Sequence, residues 1–302
     1  MTSISKVICS VTFLFISVFL YSQHQTLSPE NQVLYEEHIK GGQPDKDSLL
    51  IRKAFVVNYS ESYRIPMWVA YHLKSDYMTT PQRKGKFKTY RTDKDLIDPV
   101  QDAEFVGLHA AKGYARGHLA PFNVLGGDRN NNQTYAVYGT NVTSDSFDEE
   151  TILQGNMYSN LTAQHHGAFN GSGGMWYKLE RWVQDDIINT SDKEAWIYAG
   201  SIIIDFSNLE KVGKNNSIAV PQMFYKIVIM EEASKLHAIA FLFPHHKDKD
   251  HIYEKDFRKY IVPVDYIECL TDLNFFPDLD EDDEESLESS IDYDYWKRFL
   301  NE

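Results

Sequence analysis

Hydrophobic positions change period several times along the chain. The segments "KAFVVNYS" and "PMWVAYHL" (Pro66–Leu73) are β-branched and aromatic, the second in alternation, and predict two strands of a hairpin separated by "ESYRI". Residues 74–104 read as a basic, loop-rich crossing. "GYARGHLAPF" (Gly113–Phe122) predicts a short strand that leaves into a turn near Pro121, and "GGDRNNNQ" has the Gly, Asp and Asn content of a loop. "NMYSNLTAQ" predicts another short strand. "NGSGG" breaks the chain before "MWYKLERWVQDDII", where Trp176, Leu179, Trp182, Val183 and Ile187 recur at helical spacing. "AWIYAGSIII", "MFYKIVIM" and "LHAIAFLFP" read as strands of a central sheet, and "YIVPVDYIECLTDLNFFPDL" closes with a short helix and a turn. Residues 24–50 are polar and predict a loose lead-in with one short helix. Strands and helices mix without regular alternation or repeats, which predicts an α+β fold.

The first residues stand apart. Lys6 precedes an apolar run from Val7 to Tyr21, after which the chain turns polar, the pattern of a secretory signal peptide over residues 1–23. An uncleaved anchor is the alternative, though membrane spans need about 20 apolar residues. With Cys9 inside that run, the mature chain keeps Cys269 alone and has no internal disulfide; its apolar setting, "VDYIECL", predicts a buried core thiol.

Charge complicates the picture. A net charge of −14 argues against a phosphate-rich partner, because such binding relies on Lys and Arg. Ten of the acids, however, fall in "DLDEDDEESLESSIDYD" (Asp278–Asp294), which has no base. "KSDYMTTPQRKGKFKTYR" (Lys74–Arg91) holds six bases and one acid. A basic patch on an acidic body is compatible with a polyanionic substrate, and equally with a solvated lysine-rich loop. The acidic stretch reads as a solvated extension, or else as a nucleic-acid mimic lying over the basic segment. "HHKDKDH" (His245–His251) reads as a polar loop rather than a metal site.

Four polar side chains fall in segments able to converge with Arg116: His118, Asn160, Asn170 and Glu180. A neutral histidine accepts a proton from water near neutral pH. An arginine offers a planar fork to phosphate oxygens. A hard cation takes an amide oxygen while keeping its waters, and a carboxylate orients those waters. Taken singly, each has a structural alternative: a structural histidine, a loop asparagine or helix cap, a solvated helix-face acid, a surface ion pair for Arg116.

"YARGHLAP", "SNLTAQ…FN…W..LE", "VPQMFYKIVI", "AIAFLFP" and "LTDLNFFPDL" occur in the order found in the DNA/RNA non-specific endonucleases, the ββα-metal nucleases that include endonuclease G. "WVAYHL" and "RTDKDL" also resemble that family's N-terminal segments, and the resemblance covers roughly residues 52–280. It implies a ββα-metal (His-Me finger) nuclease fold, with a central, mainly antiparallel sheet flanked by helices. With the hydropathy and charge patterns above, the chain divides into a signal peptide (1–23), an N-terminal lead-in (24–50), the nuclease domain that the resemblance implies (51–280) and an acidic C-terminal extension (281–302). Carried over by position, His118 is the general base, Arg116 steadies the phosphate, and Asn170 is the one direct metal ligand. Asn160 supports the site network and Glu180 holds a metal-bound water. Lys88 is the nearest match to an upstream phosphate contact. The implied cofactor is Mg²⁺, with Mn²⁺ or Ca²⁺ as alternatives, and the implied partners are DNA and RNA, held through phosphates.

The chain departs from the family pattern at Ala115, where the motif has aspartate, and in an insertion within residues 126–154, where Asn141 of "TNVTSD" mimics the "SN" motif. The "NGSGG" spacer is also longer than usual. Gly117 reads as room for a nucleic-acid backbone to approach. Asn160 and Asn170 both sit in glycosylation sequons, and a glycan on either would block the site, which favours a secreted or periplasmic bacterial protein. Ala115 and the net acidity motivate the alternative of a weakened or inactive nuclease fold that binds nucleic acid. A phosphoesterase for small substrates is a third reading.

Overall fold

A computed structural model describes residues 27–133, 145–246 and 256–300. The signal-peptide run, Asn141 and most of "HHKDKDH" lie outside the described residues. The chain opens with α1 (Pro29–His38), capped by the Ser28 side chain accepting from the Asn31 amide, and continues through β1 (Leu50–Ile51), β2 (Val56–Ser60) and β3 (Ile65–Leu73). The crossing that follows ends in two short helices, α2 (Asp102–Phe105) and α3 (Leu108–Lys112), before β4 (Tyr114–His118). Next come α4 (Ser146–Gln154), β5 (Leu161–His165), α5 (Met175–Trp182) and β6 (Ala195–Ile202). The small pair β7 (Lys211–Val212) and β8 (Ile218–Ala219) leads into the long hairpin of β9 (Met223–Glu232) and β10 (Lys235–Pro244). The chain closes with β11 (Ile261–Val262), α6 (Val264–Thr271), α7 (Glu281–Glu288) and α8 (Tyr293–Leu300).

Seven strands form one sheet in the order β1-β2-β3-β6-β9-β10-β11, and every neighbouring pair is antiparallel. The hairpin and central strands read from the sequence are all present. Alternation splits their side chains between two cores. Val57, Val69, Ala199, Phe224 and Val228 face α5, while Val56, Trp68, Tyr198, Tyr225 and Ile227 face α6. The five apolar positions read at helical spacing, from Trp176 to Ile187, are all buried in the first core. The last two of them, Val183 and Ile187, lie in a π-helical continuation of α5 over Val183–Thr190.

Three expectations are corrected. The lead-in is docked, not loose: Trp68 Nε1 donates to Asp45 at 2.6 Å, Tyr198 donates to the Gly42 carbonyl at 2.9 Å, and His38 is fully buried. The C-terminal segment is not a solvated extension, because α8 buries Tyr295, Trp296, Phe299 and Leu300 in the core beside α5. Trp182 also donates to the Phe299 carbonyl at 2.7 Å. The acid-rich α7 packs on β10 and α6. Within the basic crossing, Lys86 instead pairs with Glu149 of α4. Cys269 is exposed, because Val264 and Ile267 direct α6 toward the core and position 269 falls on the opposite side of that helix.

Candidate active site

Strands β4 and β5 pair antiparallel, with Ala115 opposite Gln164, Gly117 opposite Thr162 and His118 opposite Leu161. A π-helical turn over His166–Asn170 follows β5, and α5 comes next. Trp176 is fully buried and its Nε1 donates to the His118 carbonyl at 3.3 Å, so the helix is fastened to the end of β4. This β-β-α unit brings His118, Asn170 and Glu180 to one open cleft of about 690 Å³. Arg83 and Lys84 of the basic crossing form another part of its wall.

His118 Nε2 lies 3.1 Å from Asn156 Oδ1. Asn156 gives its own amide hydrogen to the Phe87 carbonyl at 2.8 Å, so its oxygen faces the imidazole and accepts from Nε2–H. That assigns the bare, proton-accepting nitrogen to Nδ1. Burial pushes His118 down to about 3, the nearby Arg83 charge adds to the effect, and the Asn156 bond opposes it. The ring is therefore neutral at pH 7.

Asn170 donates Nδ2 to Gln164 Oε1 at 2.5 Å, which leaves its carbonyl oxygen as the free end in the cleft. Gln164 crosses over Gly117 to reach it: a Cβ on Gly117 would lie 2.0 Å from Gln164 Oε1. The glycine of the Arg-Gly-His step thus makes room for a protein side chain. The expected space for a nucleic-acid backbone is occupied.

Glu180 is mostly buried on the cleft side of α5. Its carboxylate is 3.6 Å from Lys226 Nζ, which is itself only 1% exposed and lies 4.2 Å over the Trp176 ring. Burial raises the Glu180 pKa, to about 7, and lowers that of Lys226, and the charge of each opposes the shift of the other.

The remaining candidates stand elsewhere. Asn160 is fully buried: Oδ1 accepts from the Ala120 amide at 2.8 Å, and Nδ2 donates to the carbonyls of Ala120 and Gly155 at 2.9 Å each. It clips the backbone just past His118, and its sequon offers no amide for a glycan in the folded chain. Arg116 points along the same face of β4 as His118, but it donates to Asp102 Oδ1 and the Tyr158 hydroxyl, both at 2.9 Å, and covers the Tyr90 ring. The ion-pair alternative for Arg116 is the one present, and it does not line the cleft. Lys88 is exposed outside the cleft wall, because the 3₁₀ turn over Gly85–Lys88 turns inward at Phe87; Arg83 and Lys84 hold the cationic positions there.

Sequence reasoning missed Asn156, Gln164, Arg83 and Lys226. Lys226 had a signal, a lone cation inside the apolar run of β9. Gln164 had a weaker one, a polar residue closing a short strand. Asn156 had none.

The β4–β5 ribbon, the turn bearing Asn170 and helix α5, set against an antiparallel sheet, define a ββα-metal nuclease fold. A match to the crystal structure of the EndoG/EndoGI complex covers 85% of this chain and 94% of that chain, with TM-score 0.60 and 20% identity. The chain belongs to the DNA/RNA non-specific endonuclease family, whose model matches residues 36–282, which makes it a nucleic-acid hydrolase by family. It is 27% identical over 244 residues to a nuclease of Serratia marcescens, covering 80% of this chain and 79% of that one. A nuclease of Nostoc sp. is 26% identical over 254 residues, covering 81% and 78%. Among the described residues no helix is long and apolar enough to cross a membrane.

Proposed function

We propose that the chain is an exported bacterial endonuclease, dependent on a divalent metal, that hydrolyses phosphodiester bonds of DNA and RNA without reading sequence. The observation that carries this reading is the convergence of His118, Asn170, Glu180 and Arg83 on one open cleft. A free amide oxygen at Asn170 with a carboxylate at Glu180 suits a hard cation that keeps most of its waters, Mg²⁺ above all and Mn²⁺ or Ca²⁺ as alternatives. When bound, such an ion offsets the charge that builds on the phosphoryl and leaving oxygens.

The protein's own groups account for the rest. His118 Nδ1 takes a proton from water as the water oxygen bonds to phosphorus. The P–O3′ bond breaks, the 3′ oxygen takes a proton from a solvent water in the open cleft, and a 5′-phosphate end remains; the proton on His118 then returns to solvent. Asn156 holds the imidazole in the tautomer this needs. Arg83, a cleft cation whose charge acts on His118, grips the phosphate in place of Arg116. Arg116 instead braces Tyr90 and Tyr158 on the ribbon face it shares with His118. Contacts confined to phosphates yield non-specific cutting.

Incubation of the purified chain with plasmid and RNA, in Mg²⁺ or in EDTA, tests the reading. We expect cleavage that requires the metal and falls by ~10²–10⁴ in His118→Ala. Binding of nucleic acid without cutting, in wild type and variant alike, would establish the inactive, binding-only alternative.

A further inference from the structure

We propose a second divalent-cation site, for Ca²⁺, formed by Asp265 and Glu268 of α6 and Glu288 of α7, which staples the acidic C-terminal segment to the nuclease body. Each of the three offers a carboxylate oxygen, and these atoms all lie within 4.8 Å of one another. Oxygens around Ca²⁺ stand at about 2.3–2.6 Å from the ion, so one ion spans such a group. Asp265 and Glu268 are three residues apart and share a face of α6. Glu288 reaches them from the last position of α7, beyond residue 282 where the family match ends.

Crowded surface acids alone would not make a site. Here the decisive group is Glu288, which is only 6% exposed, and its Oε1 has no hydrogen-bond partner. The charges nearest to it belong to Glu268, Glu284 and Asp265, all acids. It also ends a helix, where the backbone dipole opposes negative charge. A buried carboxylate among acids requires either a cation or a proton. Glu288 also hydrogen-bonds the Glu268 side chain, so without an ion the two carboxyls can share a proton. That protonated pair is the rival state.

Asp265 is exposed, so the group opens to solvent and an ion has a route in. Helix α6 packs on the face of the sheet opposite α5, so this site is separate from the cleft. Its consequence is structural. Cation binding ties α7 to α6, and α7 leads directly into α8, whose aromatic residues complete the core beside α5.

The test uses the full chain carrying Asn170→Ala, which removes the proposed ligand of the cleft ion. Calorimetric titration with CaCl₂ is expected to show one Ca²⁺ per chain and a rise in melting temperature with added calcium. Glu288→Gln and Asp265→Asn, each in the same background, are expected to weaken that binding at least fivefold. The exposed Asp265 serves as the variant least able to disturb folding. Absence of binding at millimolar calcium, or a smaller change in either variant, would overturn the site in favour of the shared proton. Because the readout is calcium binding away from the cleft, it succeeds or fails independently of nuclease activity.

Discussion

Gly117, Gln164 and Asn170 form a short relay in which the absence of one side chain positions another. A Gly117→Ala variant is expected to push Gln164 off Asn170. It should lose about 1–3 kcal/mol of stability, read by urea denaturation, and lose cleavage activity along with it. Gln164→Ala should leave Gly117→Ala with little further effect on stability, because the clash partner is gone. Lys226 and Glu180 are a second coupled pair. Lys226→Met strands a buried carboxylate and should destabilise by about 3–5 kcal/mol. Adding Glu180→Gln should recover part of that loss, as a double-mutant cycle would measure. The motif around His118 was legible because it and the short motifs after it stand in an order that resembles a known family. The partners Asn156, Gln164 and Lys226 were not, because each comes from a different strand or turn and has no local periodicity tying it to the motif.

Among the elements, α8 shows how composition conceals pattern. Acids dominate residues 278–294, yet Tyr295, Trp296, Phe299 and Leu300 follow at positions that fall on one side of a helix. Trp296 is fully buried, and its Nε1 donates to the Ala238 carbonyl on β10 at 3.0 Å. Trp296→Ala should therefore cost about 3–5 kcal/mol, seen as a lower denaturation midpoint. The sheet strands and α5 were readable in advance because alternation and a 3.6-residue period are local properties of the chain. Short elements such as β1, β7, β8 and β11, two residues each, carry too few positions for any period.

Across the whole molecule, folding buries neutral histidines. Burial pushes both His38 and His245 down to about 3. Their ordinary value in the unfolded chain is near 6.5. The unfolded state therefore binds more protons between those limits. The stability these groups contribute is fully present above about pH 6.5 and is lost as pH falls, by roughly 2–3 kcal/mol per pH unit for the pair. Equilibrium unfolding at pH 7.5, 6.0 and 5.0 should show this decline; constant stability over that range would refute it. Charge is also partitioned at this scale. The basic crossing supplies Arg83 and Lys84 to the cleft, while the densest acids lie with α7 against α6 and β10.

The sequence by itself determined the α+β class, the order and period of the main strands and the amphipathic face of α5, all of which follow from local backbone preference. His118, Asn170 and Glu180, which share the cleft, were marked by the order of short motifs that resembles a known family, not by spacing or composition. The tertiary structure decided which cation faces the cleft and that Arg116 is already paired. It decided what Gly117 makes room for, that Glu180 has a buried counter-charge, and that the segment around α1 and helix α8 dock against the core. Each of those is a contact between segments far apart along the chain, and burial, which sets its strength, exists only once the sheet has formed.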